Sequence, residues 1–506
     1  MNCYLIDRET EPLRMLILGS GGTGKSKLIG AITETFKYYG KEDILAKCAT
    51  TGIAATDIGG RTLHSWACLT HNIPKTDNWI EKAAKATIEK RKLNIGGKKF
   101  IIIDEISMAD KVMLYCTSEI VGWAMGKEGK GSAEDPFGGA NTILTGDFHQ
   151  FPPVGNASGA LYVDKKDDSE RAHIGRSIFK QFDTVVILDK QKRVTDAKWS
   201  NILSRLQVGQ CDHNDIEEIQ KLVLTNPNCI MPDFQVKPWS DAILVTPRHA
   251  VREAWNEQAV IKHCQKTGNR RYLVPACDIN KETNRELPME GRLAAAKVNC
   301  AHTGKLADRV EVAVGMKAMV LLNLATEADI ANGTRGVIHD IILDEREEPH
   351  TDQQNGTVKL QFPPVMILFK PDRGTTIKFP GIELGLIPIT PSEASFTVEA
   401  ENGKKYRILR RQYAMTPGYA FTDYKSQGQT IEYVIIDIGR PPTGKLSPFG
   451  TYVALSRSRG RDTIRLLRDF DEELFQHHPS EALRVDMERL AVLNRMNKER
   501  WENRDT

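Results

Sequence analysis

Short runs of aliphatic and β-branched residues alternate with helix-prone stretches along the first half of the chain. The runs are RMLILG, ILAKCAT, KFIIID, ANTILTGD and TVVILD, at residues 14–19, 44–50, 99–104, 140–147 and 184–189. Nearly continuous apolar strands separated by helices are typical of a parallel sheet that is covered on both faces. The pattern therefore predicts an α/β fold built on a parallel sheet.

The second half of the chain repeats this pattern but interrupts it. An apolar run returns at 242–247 and another only at 433–439, which predicts a second α/β unit completed across an insertion. Between 310 and 411, short alternating runs broken by Gly, Pro and Asn-Gly predict a small antiparallel barrel. After residue 471 the chain is charged and helix-prone. Leucines at helical spacing there either dock a helix onto the core or recruit a partner; they are Leu483, Leu490 and Leu493.

Composition changes this picture little. The chain has 506 residues, of which 40% are hydrophobic and 27% charged, so it is long enough for several packed domains. The net charge of +3 leaves any basic surface to a local cluster. One such cluster lies between 82 and 99, where seven Lys or Arg stand against one acid. It is either a solvated helix face or a patch that contacts phosphates.

The cysteines and the lengths of the apolar runs bear on the compartment. Nine cysteines make an odd number with no Cys-x-x-Cys pair, which predicts the reduced thiols of an intracellular protein. The first residues lack the pattern of a secretory signal, and no run approaches the ~18 apolar residues of a membrane span. We expect no membrane contact and, for a eukaryotic source, a nuclear location with the mitochondrion as the alternative.

A phosphate-binding loop follows the first predicted strand. GSGGTGKS at 19–26 fits the pattern G-x-x-x-x-G-K-[ST], between the strand RMLIL and a helix-prone segment. Glycines let backbone N–H groups surround a phosphate at a helix N-terminus, while Lys25 reaches the β and γ oxygens and the Ser26 hydroxyl takes one Mg²⁺ position. The loop residues expected to bind nucleotide are Gly19, Gly21, Gly22, Thr23, Gly24, Lys25 and Ser26.

Polar side chains at the ends of two later strands complete a hydrolytic set. Asp104 and Glu105 end an apolar strand, so we expect Asp104 to hold Mg²⁺ and Glu105 to polarise an attacking water. A paired Asp-Glu favours hydrolysis over phosphoryl transfer to a small molecule. Gln150 follows the strand TILTGD, and we expect it to sense the γ-phosphate.

Taken together, the motifs resemble one helicase family. Besides the motifs above, the chain carries TTGIAATDIGGRTLHSW, NGTRG, YKSQGQTIEYV and YVALSRSRGRD, at 50–66, 332–336, 424–434 and 452–462. In this order, over nearly all of residues 14–470, they resemble the Pif1-like helicases, relatives of RecD in helicase superfamily one. The resemblance implies ATP-dependent translocation 5′ to 3′ on single-stranded DNA, with duplex DNA unwound ahead.

The resemblance also implies an architecture and partners. It gives two RecA-like P-loop domains with ATP at their interface and a small SH3-like β-barrel inserted in the second. The implied parts are a first RecA-like domain at 1–183 with a small insertion at about 65–98, a second at 184–309 and 412–470, the barrel at 310–411 and a charged helical tail at 471–506. The implied cofactors are ATP and Mg²⁺, the partners are single-stranded and forked DNA, and we expect a monomeric motor. The strand-splitting wedge is expected within 65–98.

Residue roles carry over at the matching positions. Arg193 in DKQKRV and Arg457 in VALSRSR match two arginines that the second domain presents to the γ-phosphate, where planar guanidinium groups suit the spread negative charge. The implied catalytic set is Lys25, Asp104, Glu105, Gln150, Arg193 and Arg457. Gly428 is assigned to the nucleotide.

The implied DNA contacts come from two motifs. In the first domain they are Thr51, Gly52, Thr62 and His64, and in the second Lys425, Ser426, Gln427 and Thr430. Hydroxyls, amides and lysine grip phosphates irrespective of base sequence. Phe148, Phe151 and Trp66 are either platforms on which bases stack or core residues.

Some positions depart from the family pattern. The family usually opens with a helix bearing a glutamine that reads adenine, but about thirteen residues precede the first strand and none is Gln. Tyr424 stands where a His is usual, and His149 replaces a common aromatic. An alternative function is therefore a single-strand-binding remnant whose ATP turnover is impaired by a shortened N-terminus. A P-loop kinase or GTPase unrelated to DNA is a further alternative, although it has no use for Arg193, Arg457 and KSQGQT.

Overall fold

A computed structural model describes residues 11–70, 76, 78–127, 135–324, 330–348, 356–375, 377–441 and 446–503. The chain divides into two compact units, the first formed by Met1–Val245 with Asp423–Thr506 and the second by Thr246–Thr422. These units group the chain differently from the predicted domains, whose boundaries stay a prediction.

The helices lie in both units. Their bounds are α1 Lys25–Tyr38, α2 Gly52–Asp57, α3 Leu63–Trp66, α4 Lys85–Ile95, α5 Lys111–Lys127, α6 Glu170–Lys180, α7 Ala197–Gln207, α8 His213–Gln220, α9 His249–Thr267, α10 Met289–Lys297, α11 Asp423–Ser426, α12 Pro448–Leu455, α13 Glu473–Gln476 and α14 Glu481–Glu502.

The strands are numbered in chain order. Their bounds are β1 Arg14–Gly19, β2 Leu45–Ala49, β3 Arg61–Thr62, β4 Phe100–Asp104, β5 Asn141–Gly146, β6 Thr184–Leu188, β7 Ile243–Val245, β8 Arg271–Pro275, β9 Cys277–Asn280, β10 Arg285–Glu286, β11 Arg309–Val312, β12 Lys317–Val320, β13 Arg335–Ile342, β14 Thr357–Lys359, β15 Met366–Pro371, β16 Ile387–Ile389, β17 Ser392–Glu399, β18 Lys405–Gln412, β19 Met415–Pro417, β20 Ala420–Phe421, β21 Val434–Ile436 and β22 Ile464–Leu466.

The first unit is organised by a parallel sheet of six strands in the order β3-β2-β4-β5-β1-β6. A second parallel group in this unit has β21 between β7 and β22. The apolar runs predicted as strands all fall on these elements. The α/β fold with a large parallel sheet is therefore confirmed.

Both faces of the six-stranded sheet are covered, which explains why its strands are apolar without alternation. All five residues of β4 are buried. Ile101 and Ile103 point into one core, and Phe100 and Ile102 point into the core on the opposite face. Phe36 of α1 packs edge-on against Phe100, with ring centroids 4.9 Å apart, so α1 covers the second face.

The tail helix α14 docks onto the first unit. Leu483 and Leu490 are fully buried in the core that also contains β1 and β4 residues, and Leu493 packs against that core. Asp486 pairs with Lys180 of α6, and the Asn494 side chain accepts a hydrogen bond from the Ile187 backbone of β6. Of the two predicted uses for these leucines, docking is confirmed.

The second unit is mainly antiparallel. One sheet has the order β16-β15-β13-β12-β19, a second β10-β9-β18-β17 and a third β11-β8-β14. Strands from the segment predicted as a barrel contribute to all three sheets, because β14 pairs with β8 and β18 pairs with β9. The antiparallel texture of that segment is observed, and its SH3-like identity stays a prediction.

The sequence predicts reduced cysteines and no membrane-spanning segment. Each cysteine among the described residues is a free thiol, and Cys3 lies outside them. Within the described ranges, none of the helices combines the length and apolarity needed to cross a bilayer.

Candidate nucleotide and DNA site

The glycine-rich loop joins β1 to α1 at the carboxyl edge of the parallel sheet. Gly22 and Gly24 have φ of 95° and 98°, a left-handed backbone that favours glycine. The Lys25 ammonium group donates hydrogen bonds to the carbonyl oxygens of Gly19 at 2.6 Å and Ser20 at 3.3 Å. The side chain thus folds back over the loop, as a lysine that reaches a bound phosphate must.

Three predicted catalytic side chains converge on Gly21. A Cβ placed on Gly21 would lie 3.1 Å from Nη1 of Arg193, 3.1 Å from Nη2 of Arg457 and 3.5 Å from Nε2 of Gln150. Although residues 193 and 457 are far apart in sequence, both guanidinium groups face the loop. The absence of a side chain at Gly21 is what leaves room for this approach.

Arg457 follows α12 and is fully buried. Its guanidinium group donates to neutral oxygens, the carbonyls of Val453 at 2.7 Å and Gln429 at 3.1 Å and the hydroxyl of Ser456 at 2.7 Å. Burial, followed by the positive charge of Arg193, lowers the pKa of Arg457 to about 9. A buried cation with neutral partners is suited to receiving an anion.

A glutamine that the motif analysis did not single out fixes the loop that carries Arg193. The Gln191 side-chain amide donates to the carbonyl of Gly21 at 3.0 Å, and its Oε1 accepts from the backbone N–H of Arg193 at 2.9 Å. The Lys192 N–H donates to the Gly22 carbonyl at 2.9 Å. The loop is thereby joined to the phosphate-binding loop. The only indication of this role in the sequence is that a polar side chain stands two positions before Arg193.

The acidic pair ends β4 beside the loop. Asp104 is buried and its carboxylate accepts a hydrogen bond from the Thr145 hydroxyl, while burial raises its pKa. Glu105 has φ of 53°, the left-handed region that a non-glycine residue rarely adopts. Burial, followed by the negative charge of Asp104, raises the pKa of Glu105 to about 7. That value suits a group that exchanges a proton near neutral pH.

The KSQGQT motif brings Gln427 to this acidic pair. Gln427 is buried, and its side-chain amide donates to Oε2 of Glu105 at 3.1 Å. A Cβ on Gly428 would lie 3.8 Å from Oε1 of Glu105. Ser426 is buried and donates its hydroxyl to the Asp423 carbonyl at 2.6 Å, whereas Lys425 is half-buried and Thr430 is exposed. The motif therefore contacts the predicted catalytic residues directly.

Asp147 holds Gln150 in place. Its carboxylate accepts hydrogen bonds from the Gln150 amide at 3.2 Å and the Tyr452 hydroxyl at 3.3 Å. Burial opposes ionisation of Asp147, but the hydrogen bond from His149 and the charge of Lys25 outweigh it and lower its pKa to about 2. Gln150 is thus anchored by an ionised carboxylate, and its Oε1 is buried without a hydrogen-bond partner.

The predicted DNA contacts of the first domain lie near the ends of β2 and of the edge strand β3. The Thr51 hydroxyl accepts from the Ala54 N–H and caps α2, and the Thr62 hydroxyl accepts from the Ser65 N–H and caps α3. Gly52 begins α2 and His64 lies in α3. The pairing of Ala49 with Thr62 brings the two capped turns to the same end of the sheet. Their contact with DNA stays a prediction.

All three aromatic candidates are buried, and one of them, Phe151, also contacts an exposed ring. Phe148 and Trp66 are buried in the core of the first unit, and the Trp66 ring N–H donates to the Asn94 carbonyl at 3.1 Å. Phe151 is also buried, but its ring stacks on Tyr424 with centroids 4.0 Å apart. Tyr424 is 49% exposed and therefore presents the accessible ring of that pair.

The basic segment has both buried and exposed side chains. Arg91 is buried and donates to the carbonyl oxygens of Ala67, Ile80 and Cys68, so it holds the chain before α4 in place. The exposed basic residues of this segment are Lys82, Lys85, Lys90, Lys92 and Lys99. The prediction of a phosphate-contacting patch therefore applies to these lysines and not to Arg91.

The sheet order and the loop define the class: this is a P-loop α/β protein. A family model described as PIF1-like helicase matches residues 7–215. The ATP-dependent DNA helicase PIF1 of Xenopus laevis is 25% identical over 470 residues, which is 91% of this chain and 60% of that protein. The chain thus spans less than two thirds of that relative's length. The resemblance to the Pif1-like helicases stated from the motifs is confirmed.

Solved structures agree with this assignment of the fold. The crystal structure of Pif1 helicase from Candida albicans superposes with a TM-score of 0.64 at 22% identity, covering 97% of this chain and 98% of that one. The Pif1 helicase from Bacteroides in complex with ADP-AlF3 and ssDNA gives a TM-score of 0.62 at 21% identity, covering 96% of this chain and 94% of that one. At these identities the likeness establishes the fold.

Proposed function

We propose that this chain is an ATP-dependent DNA helicase that moves 5′ to 3′ on single-stranded DNA and unwinds forked duplexes. The observation that carries the proposal is the convergence of Arg193, Arg457 and Gln150 on Gly21 of the phosphate-binding loop. Two comparisons support it. The Xenopus relative is named an ATP-dependent DNA helicase, and the Bacteroides structure is of a Pif1 helicase in complex with ADP-AlF3 and single-stranded DNA. The direction of movement rests on the family resemblance.

The proposed hydrolytic roles follow from charge and position. Lys25, Arg193 and Arg457 supply positive charge for the phosphoryl group as its charge spreads in the transition state. Glu105, as the carboxylate, accepts the proton of the attacking water, and the Gln427 amide orients that carboxylate. Gln150, held by Asp147, orients the same water or the γ-phosphate.

The residues near the loop fit a magnesium ion. Ser26 and Asp104 offer the hydroxyl and carboxylate oxygens that Mg²⁺ prefers, and Asp104 lies in a buried position where a cation would offset its charge. In the described part of the chain, no group of three or more His, Cys, Asp or Glu is arranged to hold a metal by itself. That suits Mg²⁺, which takes one or two protein ligands and completes its shell with phosphate and water. When bound, the ion neutralises phosphate charge.

Movement is proposed to come from the junction between the loop and the arginines. Bound nucleotide would join the phosphate-binding loop to the segments that carry Arg193 and Arg457, and hydrolysis would release these segments from the loop. Gln427 contacts Glu105 directly, so the KSQGQT motif is placed to pass this change on to a DNA strand held by Lys425 and Thr430. In the first predicted domain, the residues proposed to hold the DNA strand are Thr51, Gly52, Thr62 and His64. We also propose that the chain has the domain boundaries predicted from the sequence and acts as a monomer.

An unwinding assay on tailed duplexes tests the proposal. With ATP and Mg²⁺, the protein should separate a duplex with a 5′ single-stranded tail and leave one with a 3′ tail intact. Lys25→Ala should separate neither, because it lacks the cation that reaches the β and γ oxygens. Separation of the 3′-tailed substrate alone would contradict the direction, and equal separation without ATP would contradict the mechanism.

ATP hydrolysis with and without single-stranded DNA decides between the helicase and a non-hydrolysing strand binder. The helicase predicts that single-stranded DNA raises the rate strongly. A protein that binds single-stranded DNA but does not hydrolyse ATP would favour the alternative.

A further inference from the structure

The two chain segments that contain Arg193 and Arg457 are joined along their length. We call residues 193–199 and 456–461, together, the arginine seam. Within it, Nη1 of Arg193 donates to the Ser456 carbonyl at 3.1 Å, and the Thr195 N–H donates to the Arg459 carbonyl at 2.9 Å. The segments that carry the two arginines are therefore in direct contact.

The seam has a buried centre. The ring N–H of Trp199 donates to the Ser458 hydroxyl at 2.8 Å, and both residues are fully buried. At Gly460 the segments approach so closely that an added Cβ would lie 2.9 Å from Cβ of Asp196. Such an approach tolerates no side chain at position 460 without a shift of the backbone.

An ion-pair group closes the far end of the seam. Arg461 donates to both carboxylate oxygens of Asp196, from Nε at 2.6 Å and from Nη2 at 3.2 Å, and from Nη1 to Glu218 of α8 at 2.8 Å. Asp196 also caps α7 by accepting from the Trp199 N–H. Burial opposes ionisation of Asp196, but the hydrogen bond from Arg461 outweighs it and lowers the pKa of Asp196 to about 2.

The seam opposes a repulsion within the site. Arg193 and Arg457 both come within 3.1 Å of the same point at Gly21, so two positive charges lie side by side. The charge of Arg193 contributes to lowering the pKa of Arg457. Like charges at such a distance separate unless the chains that carry them are fixed.

We propose that Arg461 is a positioning residue, which through Asp196 and Glu218 holds the segments of Arg193 and Arg457 together so that both arginines reach the phosphate as one body. This inference rests on the proposed function, since it concerns the same hydrolytic site. Arg461 itself contacts neither the loop nor the acidic pair in the hydrogen bonds it makes. Its effect on turnover is therefore indirect, and a side chain that only stabilised the fold would not alter the rate of the folded enzyme.

The test measures ATP hydrolysis stimulated by single-stranded DNA. Arg461→Ala should lower kcat about tenfold and change KM for ATP by less than about twofold, because the arginines act chiefly on the transition state. Arg461→Lys should recover part of the rate, since it keeps the charge but cannot fork over a carboxylate. The matched control is Arg484→Ala on α14, which also removes an arginine bonded to two carboxylates, Glu481 and Glu488, and should keep the wild-type rate.

A second variant keeps the test decisive if Arg461→Ala folds poorly. Asp196→Asn retains an oxygen that caps α7 but removes the charge that Arg461 binds, so it should lower kcat in the same way. Combined with Arg193→Ala, Arg461→Ala should cause a smaller loss than it causes alone, because part of its effect acts through Arg193, whereas losses that multiply in full would overturn the inference. Wild-type rates in both Arg461→Ala and Asp196→Asn would also overturn it. Absence of turnover in the wild-type protein would instead contradict the proposed function.

Discussion

At the residue scale, Glu105 has the least ordinary surroundings of the acidic pair. Its carboxyl group is buried next to Asp104, its backbone is left-handed at φ 53°, and the Gln427 amide donates to it. Burial and a neighbouring carboxylate favour the neutral acid, while the hydrogen bond and the charge of Lys25 favour the carboxylate. The balance leaves its pKa at about 7.

The pH dependence of ATP hydrolysis should report this pKa. Because the carboxylate is the form that accepts a proton, the rate should fall about tenfold per pH unit below pH 7 and level off above it. Glu105→Gln should bind ATP and hydrolyse almost none at any pH. Steady-state rates from pH 5.5 to 9 measure the profile. A flat profile, or a hydrolytically active Glu105→Gln, would contradict the role of Glu105 as the base.

Gln427 has two candidate roles: it is a predicted DNA contact, and its amide donates a hydrogen bond to Glu105. Removing an amide that donates to a carboxylate disfavours the charged form, so Gln427→Leu should move the acidic limb of the profile up by about half to one pH unit. Gln429→Leu is the matched control, because its amide donates to the Lys425 carbonyl and not to a carboxylate, and it should leave the limb in place. Weaker DNA binding with an unmoved limb would mean that Gln427 acts on the strand alone.

At the element scale, the apolar runs predicted the strands of the first unit well. Each run was continuous because β1, β4 and β5 are covered on both faces, and a buried strand needs no polar face. The leucine spacing of α14 predicted an apolar helix face but left its partner open, and the structure buries that face in the core of the first unit. The basic run before and within α4 could not be interpreted from the pattern, because three backbone carbonyls satisfy Arg91 inside the fold.

The docking of α14 can be measured by unfolding. Leu490 is fully buried, so Leu490→Ala should lower the free energy of unfolding of the first unit by about 2–5 kcal/mol. Val492→Ala, on the same helix at 44% exposure, should change it by less than about 0.5 kcal/mol. Guanidinium titrations followed by circular dichroism compare the two variants. Equal stabilities would show that α14 adds little to the core.

At the scale of the whole molecule, the motifs predicted a set of site residues but not the contacts through which they meet. The loop pattern, the Asp-Glu pair and the two arginine motifs named side chains that lie together in the first unit. Local patterns carry no information on pairs such as Gln427 with Glu105 or Arg461 with Asp196, which are joined only when segments more than 200 residues apart pack. No motif predicts Gln191, because its role is to join one loop backbone to another.

The central claim is that nucleotide is held between the loop around Lys25 and the two arginines. The most direct test is the ATP hydrolysis rate of Arg193→Ala at saturating ATP and single-stranded DNA, with Arg495→Ala on the exposed face of α14 as the control. The account predicts a decrease of at least about a hundredfold for Arg193→Ala, with DNA affinity unchanged, and a wild-type rate for Arg495→Ala. A wild-type rate in Arg193→Ala would contradict it.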